Sequence, residues 1–327
     1  MSFLAWPCRL RRNGVLGMNA RINKYLSPLN ARRNFPRVDN KVITARLCLE
    51  AGIPSPQNYC VLDAFGQINE LARHIAGLQR FVIKPASGSM GNGILVLRTA
   101  PSGNTFRKPD GKELGYPELR YHIQNILSGL YSLAGHFDQA IVQYCIETHA
   151  AMSSLGYQGV PDIRIIIYRG YPVMAMARLP TRLSGGRANL HQGAIGLGVD
   201  IRTGLSNHAV WDNRLVATHP DTGLALAHIQ IPFWQACIRM AIQCFEVAGL
   251  GYLGVDIALD QSQGPLLLEM NARPGLSIQI ANQAGLKGRL QKVDALYQQK
   301  NLAHSFQERW QRWQAQDLFL SAPDNPV

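Results

Sequence analysis

Apolar and polar positions along the chain alternate between two periods, one of strands and one of helices. Short apolar runs ending at Lys84, spanning Ile94–Leu97 and spanning Ala140–Ile146 read as strands. Asp162–Tyr168 and Tyr171–Arg178 read as a hairpin turning at Arg169–Gly170, and Val255–Asp260 and Pro265–Asn271 as a second one. Helical spacing marks Val38–Ala51, where Asp39 is the expected N-cap, Ile43, Leu47 and Ala51 form the stripe, and Gly52 and Pro54 stop it. Leu119–Ala134 carries Ile123, Ile126, Leu127, Leu130 and Leu133 on one face. Pro232–Ala248 opens on proline and closes on Gly249, and Leu290–Ala315 reads as a polar helix ahead of a frayed end. Thr99–Pro117, rich in Gly, Pro and Lys, reads as a surface excursion.

The second hairpin carries the densest chemistry. Side chains alternate along a strand, so Asp256, Ala258 and Asp260 share one face, and Leu267, Glu269 and Asn271 share one face of the partner. If Gln261–Gly264 closes the turn, Asp256 falls opposite Glu269. Two carboxylates at that range stay ionised together only with a cation near them. Hard oxygen donors without Cys or His point to Mg²⁺ bridging to phosphate, against the plain alternative of a solvated hairpin face.

Composition narrows the class. The 327 residues, 46% hydrophobic and 17% charged, suffice for more than one lobe. No apolar run is long enough for a membrane helix, and MSFLAWPCRLRR places its arginines after its apolar residues, the reverse of a secretory signal. The six cysteines contain no C-x-x-C, so neither a zinc knuckle nor a disulfide framework is indicated, and a reducing cytoplasm is the expected setting. The net charge of +12 is local: residues 1–37 hold eight basic side chains and no acid, leaving 25 basic against 21 acidic residues elsewhere. Such an arm suits an anionic or acidic partner or simply packs on the body, and no aromatic-interleaved basic stripe supports nucleic acid.

Three further stretches suit a polyanion. Lys41 sits in the first turn of its helix, the unfavourable end of the dipole for a cation. Lys84 stands at the mouth of a loop containing Gly88, Gly91 and Gly93, whose backbone can approach phosphate closely although it is no Walker motif. Gly185–Gly198 carries Arg187, Asn189 and His191.

The order of these elements, with D-I-R at 162–164, R-A-N-L-H-Q-G at 187–193 and V-D-I…E-M-N-A-R-P-G at 255–275, resembles the ATP-grasp superfamily, most closely the RimK-like α-L-glutamate ligases, over residues 38–285. The resemblance implies an α+β fold of two lobes gripping ATP, here with a reduced N-terminal domain. The expected division is a basic arm (1–37), an N-terminal lobe with the glycine loop (38–145), a C-terminal lobe with the metal site (146–285) and a helical tail (286–327). It further implies that Lys41, Lys84 and the Gly88, Gly91 and Gly93 loop hold the ATP phosphates. Gln143, Tyr144, Cys145 and Ile146 would line the adenine edge, and Asp162 would accept from the ribose. Arg187 and Asn189 would reach the phosphates or an acyl phosphate, Arg273 a substrate carboxylate or Glu269. Asp256, Glu269 and Asn271 would ligate Mg²⁺, as one ion or two, with Mn²⁺ able to substitute. The implied activity is an ATP-dependent carboxylate–amine ligase, adding glutamate or another amino acid to a peptide, protein or small-molecule acceptor. The alternatives are a kinase of the same fold and a non-catalytic nucleotide-binding regulator. The basic arm folded back, a second copy of the chain or a partner protein would complete the acceptor site.

Overall fold

The computed structural model describes residues 10, 12–88, 91–101, 103–132, 135–299 and 304–315. Two compact units emerge, one of residues 39–50 and 55–147, the other of residues 1–38, 51–54 and 148–327. In the first, a six-stranded antiparallel sheet runs in the order β1-β6-β2-β3-β4-β5, built from Asn58–Leu62 (β1), Arg80–Pro85 (β2), Leu95–Thr99 (β3), Thr105–Arg107 (β4), Glu113–Gly115 (β5) and Ala140–Tyr144 (β6). The supposed surface excursion therefore contributes two short strands, β4 and the edge strand β5, with Phe106 of β4 buried against Phe81 and Tyr116. Helix Lys41–Glu50 (α1) is capped by Asn40, not Asp39: Asn40 Oδ1 accepts from the N–H groups of Val42 and Ile43 at 2.9 and 3.1 Å. Its buried positions are Thr44 and Cys48, so the expected stripe through Ile43 and Leu47 is offset by one residue. Helix Tyr116–Leu127 (α2) buries Leu119, Ile123, Ile126 and Leu127 over the sheet. It stops at Leu127, before Gly129 at φ +85°, which leaves Leu130 exposed, while Leu133 lies outside the described residues.

The second unit is a seven-stranded antiparallel sheet in the order β11-β10-β9-β8-β7-β12-β13. Its strands are Asp162–Tyr168 (β7), Tyr171–Leu179 (β8), Ile195–Val199 (β9), Ser206–Trp211 (β10), Arg214–Val216 (β11), Tyr252–Asp260 (β12) and Gly264–Asn271 (β13). The Ile165–Tyr168 part of β7 is an unbroken apolar run because both its faces are covered. Helix Trp234–Ala248 (α3) lies on β7, β8, β12 and β13, and the opposite face packs Ile166, Tyr168 and Met174 against Leu16, Tyr25, Leu26 and Leu290. Cys237 and Cys244 are fully buried on α3, where burial pushes the Cys237 thiol up to about 12, so they are core residues rather than nucleophiles. The glycines of 185–198 divide by role. Ile195–Val199 is a buried strand, and a Cβ at Gly198 would collide with the Ala281 carbonyl and the Asn207 side chain, so this glycine serves packing. The polar C-terminal stretch is two helices, Lys287–Tyr297 (α4) and Phe306–Gln314 (α5). Buried Arg309 of α5 ion-pairs with Glu246, and Trp313 Nε1 donates to Ile201 O at 3.1 Å. The expected frayed end lies outside the described residues.

The basic arm is packed on the second unit. Tyr25 and Leu26 enter its core, and Arg21, Asn34 and Arg37 each donate to a backbone carbonyl, of Pro274, Gly249 and Val247. Lys24, Arg32 and Arg33 remain exposed; Arg9 and Arg11 lie outside the described residues.

Candidate active site

The hairpin of β12 and β13 pairs Asp256 with Glu269 and Gly254 with Asn271, the register expected at the acidic end, but by a different route. The turn is one residue tighter than expected, with Asp260 pairing Gly264, and a bulge at Leu268 restores the register above it. The bulge also resets the faces. Leu267 pairs with Ile257, so it does not share a face with Glu269 and Asn271 as strict alternation implied.

Asp256 is fully buried and saturated with donors. Arg164 grips it bidentately, Nε to Oδ1 at 2.7 Å and an Nη to Oδ2 at 2.5 Å. An Nη of Arg178 reaches Oδ2 at 2.7 Å, and Asn271 Nδ2 at 3.2 Å. Arg178 in turn forks onto Asp162, 2.6 Å to each oxygen. The register explains the convergence: β7 sets Arg164 directly across from Asp256, and β8 sets Arg178 across from Asp162. Burial raises the Asp256 carboxyl, but the two guanidiniums outweigh it and hold it well below the usual carboxylate range. Asp162 moves the other way: burial raises it, Arg178 pulls it back and the charge of Asp256 adds to the rise. Arg178, desolvated yet flanked by both carboxylates, is held protonated.

Glu269 is the outward member, with its side chain 37% exposed, 4.0 Å from Arg164 and 3.3 Å from Asn271 Nδ2. With every group ionised, three carboxylates and two guanidiniums carry a formal −1, and Glu269 is the carboxylate that meets solvent. Among the described residues no three His, Cys, Asp or Glu side chains form a metal cage. A divalent cation fits Glu269 and the amide of Asn271, both accessible oxygen donors on one strand. Asp256 fits by charge alone in this arrangement, since its oxygens are occupied by Arg164, Arg178 and Asn271.

Asp162 does not suit the ribose role. With a side-chain exposure of 6% and both oxygens accepting from Arg178, it faces the cluster and offers little surface to a hydroxyl. The role of Arg178 was missed from sequence, although a charged residue inside an apolar strand signals a buried partner. Arg187 and His191 are exposed, and Asn189 Oδ1 caps the short turn at Leu190–Gln192 by accepting from His191 N–H at 3.0 Å. Arg273 lies with its guanidinium over the Phe35 ring at 4.8 Å.

The first unit brings its own set together. Lys41 Nζ donates to Gly88 O at 2.7 Å and Ala86 O at 3.4 Å, which seats the lysine on the glycine loop. Lys84 is buried in β2, pairing Ile141 of β6. Gly91 and Gly93 both take φ +74°, and a Cβ at Gly93 would stand 2.6 Å from the Tyr131 ring. At the end of β6, Gln143 Nε2 donates to Asn58 Oδ1 at 2.7 Å, and the Tyr144 N–H is given to Gln57 O at 2.8 Å.

The model of the sugar-transfer associated ATP-grasp family matches residues 20–295, and the chain belongs to that family. The fold is the α+β ATP-grasp fold, so the superfamily expected from the motifs is the one found. No curated protein matches the chain. Among solved structures it is similar to the ATP-grasp ligase PsnB complexed with a minimal precursor, at 14% identity and a TM-score of 0.44, covering 82% of this chain and 63% of that one. The RimK domain protein ATP-grasp from Sphaerobacter thermophilus DSM 20745 matches at 13% identity and 0.43, covering 78% and 69%. D-alanine–D-alanine ligase from Bacillus anthracis matches at 13% and 0.40, covering 87% and 70%. The chain thus spans under two thirds of the length of PsnB.

Proposed function

We propose that this protein is an ATP- and Mg²⁺-dependent carboxylate–amine ligase, as the resemblance of its motifs to RimK-like ligases suggests. Family membership supports ATP as the nucleotide. The observation that carries the reading is the pairing of Asp256 with Glu269, with Asn271 beside them, in a cluster whose one exposed carboxylate faces solvent.

In this reading Lys41, Lys84 and the backbone around Gly88–Gly93 neutralise and orient the triphosphate, while Cys145 and Ile146 take the adenine edge. Glu269 and Asn271 hold Mg²⁺, which when bound offsets charge on the transferring phosphoryl group. Asp256, fixed by Arg164 and Arg178, keeps the second carboxylate ionised behind them. A substrate carboxylate oxygen attacks the γ-phosphorus, the bond to the β–γ bridging oxygen breaks, and ADP leaves. The amine nitrogen then attacks the acyl carbon, the carbon–oxygen bond to phosphate breaks, and an amide, phosphate and one proton result. In this reading Arg187, exposed on its loop, meets the anionic intermediate, and the protein's share is alignment and charge neutralisation.

The test is to incubate the protein with Mg²⁺, ATP and pools of carboxylic acids and amines, following ADP and new masses. A ligase yields ADP and an amide only when both pools are present. A phosphorylated acceptor formed without amine would make the protein a kinase, and no ADP under any pool would make it a nucleotide-binding regulator.

A further inference from the structure

The hairpin carrying Asp256, Glu269 and Asn271 closes its ladder at the Gly254–Asn271 pair. Beyond that pair the backbone groups of Tyr252 and Ala272 are taken up by one side chain from the N-terminal segment. Asn30 Nδ2 donates to Tyr252 O at 2.6 Å and to Ala272 O at 2.9 Å, and its Oδ1 accepts from Tyr252 N–H at 2.9 Å. The amide acts as one more rung, joining both strands at the end nearest the acidic residues. Asn30 is itself 4% exposed.

The next two residues of the chain are held from the same segment. The Arg273 guanidinium lies 4.8 Å over the Phe35 ring, and an Nη of Arg21 donates to Pro274 O at 2.6 Å. Ala272, Arg273 and Pro274 are thus gripped in succession by residues more than two hundred positions away. Asp256 needs no such help, being fixed by its ladder to β7 and by two guanidiniums. Glu269 and Asn271 lie on β13, at the edge of the sheet, where the ladder on one side alone and a bulge at Leu268 leave the strand end free to splay.

We propose that Asn30, supported by Arg21, is a positioning residue that sets Glu269 and Asn271 against Asp256 for metal-nucleotide binding. The inference rests on the reading of the site given above. It gives the basic segment a scaffold role, in which its side chains spend their donors on backbone carbonyls. The chemistry is specific to an amide. Aspartate at position 30 would keep the acceptor for Tyr252 N–H but set an anion against two carbonyls, and alanine would leave three buried backbone groups without partners.

The experiment measures Mn²⁺·ADP affinity, by the Mn²⁺ electron paramagnetic resonance signal, in the wild type, Glu269→Gln, Asn30→Asp, Arg21→Met and Val293→Ala. Val293 is buried in the core of the same unit, makes none of the bonds that hold the hairpin end, and serves as a control for lost stability. Expected are a loss of about tenfold or more in Glu269→Gln and about tenfold in Asn30→Asp, the range seen when outer partners of metal ligands are removed. Arg21→Met should lose affinity in the same direction by less, and Val293→Ala should keep it despite a lower melting temperature. Wild-type affinity in Asn30→Asp and Arg21→Met, with Glu269→Gln impaired, would overturn the positioning role and leave the site reading intact. Wild-type affinity in Glu269→Gln would overturn the site reading itself. If Asn30→Asp does not fold, Arg21→Met decides: unchanged affinity sinks the proposal.

Discussion

Arg178 is the side chain on which the buried charge of the second unit depends, and replacing it with methionine tests the network directly. The substitution keeps an unbranched apolar stem but removes three bonds of 2.6, 2.6 and 2.7 Å to Asp162 and Asp256. Asp256 retains Arg164, whereas Asp162, 6% exposed, is left as a buried carboxylate without its cation. Stranding one partner of a buried pair costs about 3–5 kcal/mol, much more than the pair contributes relative to an apolar replacement. Adding Asp162→Asn should therefore recover most of that loss, although a second group is removed. All tryptophans of the described residues, at positions 211, 234, 310 and 313, lie in the second unit, so tryptophan fluorescence in urea follows that unit alone. The loss should also depend on pH. Burial already raises Asp162 above its ordinary value, and without Arg178 it rises further. A raised carboxyl means that the folded state holds a proton the unfolded chain releases. Its contribution to stability is present at acid pH and lost as pH climbs from about 4 towards neutrality and beyond. Arg178→Met should accordingly be least harmful at acid pH, and the double variant should flatten that slope. A single variant within about 1 kcal/mol of wild type, or a double variant no more stable than the single, would refute the reasoning.

Three further outcomes are expected. Glu269→Gln should abolish Mg²⁺-dependent ADP formation while leaving the urea midpoint nearly unchanged, because the side chain is partly exposed and its neighbours stay bonded. Lys84→Ala should weaken ATP about 10–100-fold and adenosine little in calorimetric titration, as loss of one charge-assisted phosphate contact would; equal weakening would make Lys84 structural. Gly93→Ala, at φ +74° and facing the Tyr131 ring, should lower the stability of the first unit by about 1–3 kcal/mol, read by hydrogen exchange of β2 and β3.

Local pattern was enough to reach the superfamily and most strands. Motif spacing placed Asp256, Glu269 and Asn271 on facing strands, since a hairpin is a contact between near neighbours in sequence. The same locality found Lys84 beside its glycine loop and the turn at Arg169–Gly170, where both residues take positive φ. Errors arose wherever distant segments decided the outcome. Thr99–Pro117 looked like a loop because two three-residue strands carry almost no periodic signal, and only the burial of Phe106 reveals them. Asp162 looked like a ribose ligand until the β7–β8 register set Arg178 across from it. For the basic arm, sequence left docking and packing on the body side by side, because it shows the charge and not the carbonyls of Val247 and Pro274 that accept from Arg37 and Arg21. Residue types and their spacing determined which chemistry the chain could carry. Which carboxylate faces solvent, which is locked between guanidiniums, and which amide holds the strands together were decided by tertiary packing, because burial and hydrogen-bond supply come from residues remote along the chain.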